Sequence, residues 1–451
     1  MSFQRYNRVA ILVVAVWLTA VSVTPVLAQP VALDYLRYVR ESLSGLREQM
    51  PHIIEVADSS ASRLANSEAL VHISAHRNFT RELRGRAGGL GISTPGGSDA
   101  SMHPDALFIL GYAPNTESKD KNVVLASTIR NGYTIIFAAP EHLTGLSWRG
   151  TNTFRVEDYF SAIIDNQTGK RPQFEAGGRQ ISTSSLMNLV NGWVYVGELT
   201  TSLTRLGKMP VFYFSFALDQ HNDYVRAGKY SRELSPGLPY GPMKAFHDDV
   251  IISKDAEASD ELMVVPPLNP GHVGNEYLNL LDSYLADYSE DRLADLKKIV
   301  DRAVAVKRAG GAVFFTAIGH TFPTEVPVKE RSRGVMHVIE QRWNTENYSG
   351  PRPHPDDLII VFGMPTYPVA RAKFATENGL NIIILSTEAP TDHGPESYET
   401  DRFLWLETPW PMEDGAIDIP GYDIKVLPVT GVMNVALYYA VRLELESLLG
   451  K

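Results

Sequence analysis

Residues 105–114 read DALFILGYAP, and residues 356–365 read DDLIIVFGMP. Each segment is a short apolar run that begins after an aspartate and ends at a proline. Continuous apolar runs of this length are typical of strands buried on both faces, as they are in a parallel sheet. Since the two segments match along their length, they also indicate that one structural unit occurs twice in the chain.

Three further pairs of segments support this repeat. Residues 57–82 align without a gap to 300–325, residues 131–137 (NGYTIIF) to 378–384 (NGLNIII), and residues 187–198 to 433–444. All the matches occur in the same order in both halves, which is what a duplication leaves behind. We therefore predict two lobes related by internal duplication.

Both halves show the same alternation of helix and strand patterns. Apolar residues at helical spacing cover 33–66 and 277–308, and Pro51 divides the first stretch into two helices. Short apolar strands follow at 69–74, 106–112 and 133–138 in one half, and at 312–317, 358–363 and 381–386 in the other. A long apolar helix closes each half, over 186–206 and 432–449. The pattern predicts an α/β fold of two three-layer αβα lobes with parallel sheets, of the Rossmann-like or flavodoxin-like kind.

The N-terminal segment is typical of a secretory signal. Arg5 and Arg8 precede an apolar stretch over 9–26, and Ala28 ends a V-x-A cleavage site. We expect export to the periplasm or the medium after cleavage, and an uncleaved membrane anchor is the alternative. The predicted organisation is a signal peptide at 1–28, lobe 1 at 29–207 with an insertion at 148–179, a connector at 208–275, and lobe 2 at 276–451.

Composition excludes several classes of function. Lys and Arg number 42 against 52 Asp and Glu, so nucleic acid is not an expected partner. The absence of cysteine rules out disulfides, thiol nucleophiles and cysteine-ligated metal sites. No Walker A loop, G-x-G-x-x-G fingerprint or G-x-S-x-G elbow is present, and we expect no cofactor. The histidine of the segment His247-Asp248-Asp249 is a candidate metal ligand, but without a helix-spaced partner a solvated loop is the better interpretation.

Three local segments, together with the order of elements, resemble the sugar isomerase (SIS) domain family. The stretch from Glu82 to Leu90 (ELRGRAGGL) resembles the E-x-x-x-RAGGL sequence of phosphosugar-binding SIS proteins. Residues 319–322 (GHTF) resemble the loop after the first SIS strand, and residues 427–434 resemble the segment that leads into the last SIS helix. The resemblance covers about 300 residues and implies two SIS-like lobes in tandem.

This resemblance implies a phosphosugar cleft at the carboxyl ends of the strands. The ligand-binding residues that it suggests lie in the loops after the first and second strands of each half: His76, Arg77, Asn78, Thr116, Ser118, Gly319, His320, Thr321 and Thr366. Backbone N–H groups and hydroxyls at helix N-termini would hold a phosphate there. The loops of half one depart from the family pattern, because glycines are missing from its first loop and Glu117 would repel a phosphate in its second.

An acid followed by histidine recurs after the third strand of each half, as Glu141-His142 and Asp392-His393. Aldose–ketose isomerisation needs a carboxylate to move a proton and an acid to open the ring, so these pairs are candidate catalytic groups. The alternative is a pair of solvated loops whose acids cap the next helix. Glu82 and Glu325, at matched positions, are further candidates for the base, or else carboxylates favoured by a helix dipole.

Three functions follow from these residues. The degenerate phosphate loops favour an exported protein that binds a sugar derivative, phosphorylated or otherwise acidic. The repeated acid–histidine pairs favour a sugar isomerase instead. A structural module is the third alternative, and the helices of such lobes could also pair in a homodimer.

Overall fold

Two five-stranded parallel sheets form the framework of the protein. The computed structural model describes residues 30–67, 71–75, 79, 82–83, 86–95, 105–112, 132–143, 160–169, 174–176, 179–215, 245–255, 262–317, 335–339, 343–345, 349–363, 365–390 and 398–450. The strands are β1 (Val71–Ala75), β2 (Ser93–Pro95), β3 (Leu107–Gly111), β4 (Tyr133–Phe137), β5 (Ala162–Ile164), β6 (Phe174–Ala176), β7 (Arg179–Ile181), β8 (Val250–Ile252), β9 (Met263–Val265), β10 (Val313–Ala317), β11 (His337–Val338), β12 (Leu358–Phe362), β13 (Asn381–Ser386), β14 (Phe403–Glu407), β15 (Gly415–Ile417) and β16 (Val426–Pro428).

The helices described by the structure precede and follow these strands. They are α1 (Val31–Glu48), α2 (Met50–Leu64), α3 (Pro140–Leu143), α4 (Ser184–Arg205), α5 (His272–Ser289), α6 (Leu293–Arg308), α7 (Val369–Glu377) and α8 (Thr430–Leu448). Pro51 lies in the first turn of α2, where its missing N–H costs no helical hydrogen bond, so the predicted division at this proline is confirmed. Residues 277–308 form parts of two helices rather than one, because the chain turns at 290–292.

The two sheets have the same strand order. Sheet 1 runs β2-β1-β3-β4-β5, and sheet 2 runs β11-β10-β12-β13-β14. Every neighbouring pair in both sheets is parallel. This is the 2-1-3-4-5 order of flavodoxin-like sheets, in which ligands bind at the carboxyl edge where the strand order reverses. The predicted α/β class with parallel sheets is confirmed.

Both faces of each sheet are buried, and that is why the strand sequences are continuous apolar runs. In sheet 2, Phe315 and Ile360 face the large core that also holds the helices, whereas Phe314 and Ile359 face a separate cluster on the other side. Sheet 1 divides its side chains in the same way between the large core and a smaller cluster. Alternate residues of a strand point to opposite faces, so burial on both sides requires an unbroken apolar run.

Part of the predicted insertion at 148–179 belongs to the framework. Residues 162–164 form β5, which pairs in parallel with β4 at the edge of sheet 1. Sheet 2 has a corresponding edge strand, β14, and each edge strand is followed by a short antiparallel hairpin, β6–β7 or β15–β16. The hairpin then leads into the last helix of the lobe, α4 or α8. The domain boundaries themselves stay a prediction.

The helices of the two lobes pack against each other in one shared core. Helix α1 contacts α5 and α8, and α4 contacts α2, α5 and α8. A hydrogen bond between the Ala32 N–H and the Glu444 carboxylate ties the start of α1 to α8 at 3.0 Å. Because α1 precedes sheet 1 and α8 follows sheet 2 along the chain, the helices around the two sheets share one apolar interior.

A narrow strip of backbone hydrogen bonds also joins the lobes. We call this strip the seam; it consists of residues 88–91, 211–213, 245–247 and 426–428. Gly88 donates its N–H to the Tyr213 carbonyl at 2.8 Å and accepts the N–H of Leu427 at 2.8 Å. Val211 in turn donates to the Ala245 carbonyl at 3.1 Å. The glycine-rich stretch of lobe 1 therefore lies between the connector and the β15–β16 hairpin of lobe 2.

A close approach explains the glycine at position 88. Its φ is +75°, and a Cβ built there would lie 2.9 Å from the Leu427 nitrogen and 3.1 Å from the Gly415 Cα. Both neighbours are backbone atoms, which cannot swing away as a side chain would. The contact between the lobes thus explains the first glycine of the RAGGL sequence.

Candidate functional site

Most residues proposed from the sequence for the site lie outside the described part of the chain. These are His76, Arg77, Asn78, Thr116, Ser118, Gly319, His320, Thr321, Glu325, Asp392 and His393. The structure describes Glu82, Glu141, His142 and Thr366. We therefore consider the carboxyl edge of each sheet through these four residues and their neighbours.

Glu141 and His142 lie in the short helix α3, directly after β4 at the carboxyl edge of sheet 1. Glu141 is exposed, and His142 is half-buried. A Cβ at Gly169 would meet the Glu141 carboxylate, so the segment after β5 passes close to this acid. The edge of the sheet therefore brings the acid–histidine pair next to residues 165–169.

Burial lowers the pKa of His142 below its ordinary value of 6.5, and the nearby carboxylates of Glu141 and Asp165 offset part of this effect. The imidazole is therefore neutral at physiological pH. Its Nδ1 atom is buried and has no hydrogen-bond partner among the described residues. A buried nitrogen of this kind calls for an explanation, and a ligand would supply the missing partner.

Buried amide and hydroxyl side chains form a hydrogen-bond network in the segment after β5, which passes close to Glu141. The Asn166 Nδ2 atom donates to Asn188 Oδ1 at 2.7 Å, and Asn188 Nδ2 donates to the Tyr112 carbonyl at 2.8 Å. Thr168 donates its hydroxyl to Asn166 Oδ1 at 2.6 Å. All three side chains are buried, so the network fixes the segment after β5 to the end of β3 and to the first turns of α4.

Thr183, at the start of α4, has a hydroxyl that takes no part in this network. Ser184 shares hydrogen bonds with Thr168, at 3.1 Å between the hydroxyl oxygens, and with Ser182. Thr183 precedes the helix, is only 2% exposed, and makes no capping hydrogen bond. Its Oγ1 atom has no partner in the part of the chain that the structure describes. We call the group of Glu141, His142, Asp165, Thr168 and Thr183 the sheet-1 edge site.

The carboxyl edge of sheet 2 is arranged differently, because its own carboxylates occupy the corresponding positions. Thr430, in the first turn of α8, donates its hydroxyl to Asp414 Oδ1 at 2.7 Å, and its N–H points to the same oxygen at 3.3 Å. Asp414 is buried and adopts a left-handed backbone conformation, with φ at 64°. An internal carboxylate at the start of a helix takes the place that a bound anion would have.

In the second loop of lobe 2, the Glu388 carboxylate also accepts a backbone N–H. Thr366 is half-buried, and its neighbour Tyr367 donates its N–H to the Glu388 carboxylate at 2.8 Å. Glu388 in turn donates its own N–H to the Pro365 carbonyl at 2.7 Å. A phosphate brought to this loop would meet a negative charge at hydrogen-bonding distance from the loop amide.

Glu82 lies inside the protein. Its carboxylate accepts a hydrogen bond from Arg86 Nη2 at 2.9 Å, and the side chain is fully buried. Burial, together with the charges of Asp414 and Glu82, raises the pKa of Tyr277 well above its usual range. Glu82 therefore belongs to the polar interior near lobe 2, and its proposed role as a base stays a prediction.

Sequence reasoning missed Thr168, Thr183 and Asn188. Two local signals point to them: residues 166–168 form an Asn-x-Thr triplet, and residues 182–185 read Ser-Thr-Ser-Ser before an apolar helix. The expectation of a solvated loop at His247 is wrong, because this side chain is 2% exposed and its ring bonds Asp249 and Tyr422. Among the described residues, no three histidines or acids are grouped so that they could hold a metal ion.

The chain is thus a two-lobed α/β protein with flavodoxin-like sheets and a polar site at the carboxyl edge of sheet 1. No protein-family model matches it, and no characterised protein matches it in sequence. No helix in the described part of the chain combines the length and the apolar character needed to cross a membrane.

Solved structures to which the chain is similar include three sugar-related proteins. The C-terminal domain of glucosamine-fructose-6-phosphate aminotransferase from Francisella tularensis is 10% identical, with a TM-score of 0.41, and the match covers 90% of this chain and 94% of that one. A proposed phosphosugar isomerase from Silicibacter pomeroyi is 12% identical, with a TM-score of 0.44 and coverages of 94% and 99%. A proposed sugar-binding protein from Salmonella typhimurium is 9% identical, with a TM-score of 0.44 and coverages of 93% and 100%. All of these TM-scores lie below 0.5, so the strand order and contacts of the chain itself define its fold.

Proposed function

We propose that the protein binds a sugar derivative at the sheet-1 edge site and that lobe 2 is structural. The observation that carries the proposal is the buried Thr183 before α4, whose hydroxyl has no partner among the described residues. Val429 takes its place in lobe 2, and the Thr430 hydroxyl that follows it is bonded to Asp414. A buried polar atom without a partner is costly, and a ligand hydroxyl or anion would offset that cost.

The chemistry of the edge site suits a polyhydroxylated ligand. Thr183 and His142 offer a hydroxyl and a ring nitrogen that can each donate or accept, while Glu141 and Asp165 supply acceptors for ligand hydroxyls. Because the two acids are close to His142, a neutral or amino sugar fits this charge better than a sugar phosphate does. In the described part of lobe 2, the carboxylates of Glu388 and Asp414 instead accept the N–H groups of Tyr367 and Thr430.

A thermal-shift screen tests this proposal with neutral sugars, amino sugars, uronic acids and sugar phosphates. A ligand at 100 times its Kd adds about 2.7 kcal/mol to the free energy of unfolding, which is a readily measured shift in Tm. Thr183→Val should weaken binding of the best sugar about tenfold, since one buried hydrogen bond is lost. Thr376→Val is the matched control, because its hydroxyl bonds only the Ala372 carbonyl within α7.

Two results contradict the proposal. One is a folded protein whose Tm no sugar of any class changes. The other is a sugar that Thr183→Val binds as tightly as the parent chain does, which would place the ligand elsewhere.

Catalysis of aldose–ketose isomerisation is the second candidate function, and the neutral His142 beside Glu141 favours it. In this reaction the Glu141 carboxylate removes a proton from C2 of the open-chain sugar and returns it to C1, while His142 passes a proton between the two oxygens. The test is NMR in D₂O with the best sugar ligand. Formation of the ketose, or deuterium exchange at C2, that disappears in Glu141→Gln with binding retained supports catalysis, and a parent chain that gives neither refutes it.

Export and duplication also remain part of the proposal. The n-region, apolar stretch and V-x-A site at 1–28 support cleavage after Ala28, and helix α1 begins at Val31, shortly after that site. N-terminal sequencing of the secreted protein should start at Gln29, and recovery of an intact Met1 in the membrane fraction would favour the anchor. The shared strand order of the two sheets supports an origin by duplication.

A further inference from the structure

The turn after β5, residues 165–169, is held in place by two helices of lobe 1. The Asn191 Nδ2 atom of α4 donates to the Asp165 carbonyl at 3.3 Å. Gln167 is buried, and its backbone lies in the left-handed region with φ at 63°. A Cβ at Gly45 of α1 would lie 3.1 Å from the Gln167 Cγ atom, so this side chain packs against α1. Contacts with α1 and α4 therefore resist any movement of the turn away from the edge of sheet 1.

Gly169 ends this turn directly against Glu141. A Cβ at position 169 would overlap the Glu141 Oε2 atom and lie 2.8 Å from the carboxyl carbon of the same side chain. It would also lie 2.9 Å from the Cβ of Ala139, which follows β4 and is fully buried. Ala139 has no rotatable side chain, whereas Glu141 is exposed and can change its rotamer. A methyl group at position 169 would therefore displace the Glu141 carboxylate toward solvent.

The position of this carboxylate affects His142, the next residue of α3. Burial lowers the pKa of His142, while the carboxylates of Glu141 and Asp165 raise it. A charge that moves into solvent acts through more water, so its effect on the imidazole becomes weaker. The Glu141 carboxylate therefore acts on His142 in full only while residue 169 leaves room for it.

We propose that Gly169 is a positioning residue of the sheet-1 edge site: its lack of a side chain allows the Glu141 carboxylate to lie against the turn, at a defined place beside His142. The consequence for a ligand rests on the proposed function, in which Glu141 accepts a ligand hydroxyl or removes a proton from C2 of the sugar. A carboxylate that is already in place loses less conformational entropy when the ligand binds. Gly169 therefore favours binding, and it favours catalysis by the same orientation of the base.

NMR titration of the His142 imidazole, without any ligand, tests the proposal in the parent chain, Gly169→Ala, Glu141→Gln and the double variant. Gly169→Ala should lower the midpoint by at least half as much as Glu141→Gln does, since the displaced carboxylate no longer favours the protonated ring. In the Glu141→Gln background, Gly169→Ala should cause no further change, because no carboxylate is left to displace. Gly311→Ala is the matched control: its Cβ would lie 2.8 Å from Val306 Cγ1, so it also overpacks the chain, but beside α6 in the other half. The control should leave the midpoint unchanged.

Three results overturn the proposal. The first is a His142 midpoint in Gly169→Ala that equals that of the parent chain. The second is an equal decrease in Gly311→Ala, or in Gly169→Ala when Glu141→Gln is present, since the effect would then be independent of the carboxylate. The third concerns a Gly169→Ala chain that does not fold: adding Glu141→Ala makes room for the methyl group and should restore cooperative unfolding, and a double variant that stays unfolded would show that the methyl group meets another part of the protein. None of these results depends on whether the sheet-1 edge site binds a sugar, because no ligand is present.

Discussion

Replacement of Gly88 by alanine measures how tightly the seam joins the two lobes. The residue has φ of +75°, and a Cβ there would lie 2.9 Å from the Leu427 nitrogen and 3.1 Å from the Val426 carbonyl carbon. The backbone must move apart to admit the methyl group. That movement strains the hydrogen bonds of Gly88 with Tyr213 and Leu427, both of which are 2.8 Å long.

Gly207→Ala is the matched control, because Gly207 has nearly the same φ, +77°, and a Cβ at this position would have no atom within 4 Å. A left-handed alanine costs about 1–2 kcal/mol, and the stiffer unfolded chain returns about 0.4–1 kcal/mol, so the control should lose about 1 kcal/mol. Overpacking adds about 1–3 kcal/mol at Gly88, and a weakened hydrogen bond adds about 1 kcal/mol. We therefore expect Gly88→Ala to be about 2–4 kcal/mol less stable than Gly207→Ala.

Urea unfolding of both variants gives these free energies. Fluorescence of a chain that keeps Trp193 and has its five other tryptophans replaced by phenylalanine follows the seam, because Trp193 is buried beside Gly89, and far-UV circular dichroism follows the whole fold. The midpoint of Gly88→Ala should fall, and its fluorescence transition should precede the dichroism transition if the lobes separate first. A difference below about 0.5 kcal/mol between the two variants would refute the argument, since the close contact would then cost nothing.

Three other predictions concern buried carboxylates and one histidine. Glu198 accepts the N–H groups of Gly271 and Gly274 at 2.7 and 2.8 Å, so Glu198→Ala should lower the free energy of unfolding by about 2–4 kcal/mol in urea titrations. Burial raises the pKa of Glu198, so its stabilising contribution is complete below the ordinary pKa of 4.5 and declines as pH rises through the pKa of the folded state. The stability lost in Glu198→Ala should therefore be larger in acid than at neutral pH. The NMR titration midpoint of His142 should lie below 6.5, and Glu141→Gln should lower it further, because Glu141 favours the protonated ring; a midpoint above 6.5 would contradict the burial of this side chain. The depressed pKa also means that His142 contributes stability above pH 6.5 that is lost as pH falls through the folded value. Asp357 accepts the N–H groups of Ala312 and His354, both at 2.7 Å, so Asp357→Ala should lower the free energy of unfolding by about 2–3 kcal/mol. Asp356→Asn breaks an exposed pair with Arg402 and should change the free energy of unfolding by less than about 1 kcal/mol.

The strands could be predicted well because their signal is local. The sequence predicts strands at 358–363 and 381–386, and the structure has Leu358–Phe362 and Asn381–Ser386. A strand buried on both faces must be apolar throughout, so its sequence alone reveals it. The edge strand Ala162–Ile164 escaped prediction because it is three residues long, too short for any periodic pattern.

The candidate site could be predicted only in part. Glu141 and His142 were found because an acid and a histidine after a strand end are recognisable in a sequence. Thr183 was missed because a serine and threonine run before a helix is ordinary capping sequence. What distinguishes Thr183 is a buried hydroxyl without a partner among the described residues, and that property exists only once the chain around it is folded.

The sequence by itself predicted the long helices of this protein, most of its buried strands and their order. It did so because helix and strand patterns depend on neighbours within a few residues. The tertiary structure decided which hydroxyls are bonded: that of Thr430 is bonded to Asp414, whereas that of Thr183 has no partner among the described residues. The tertiary structure also explains why residue 88 is glycine and why Glu198 is buried, because their partners Leu427 and Gly271 are distant along the chain. Close approach and hydrogen-bond satisfaction are properties of the packed interior, and no local pattern of residues encodes them.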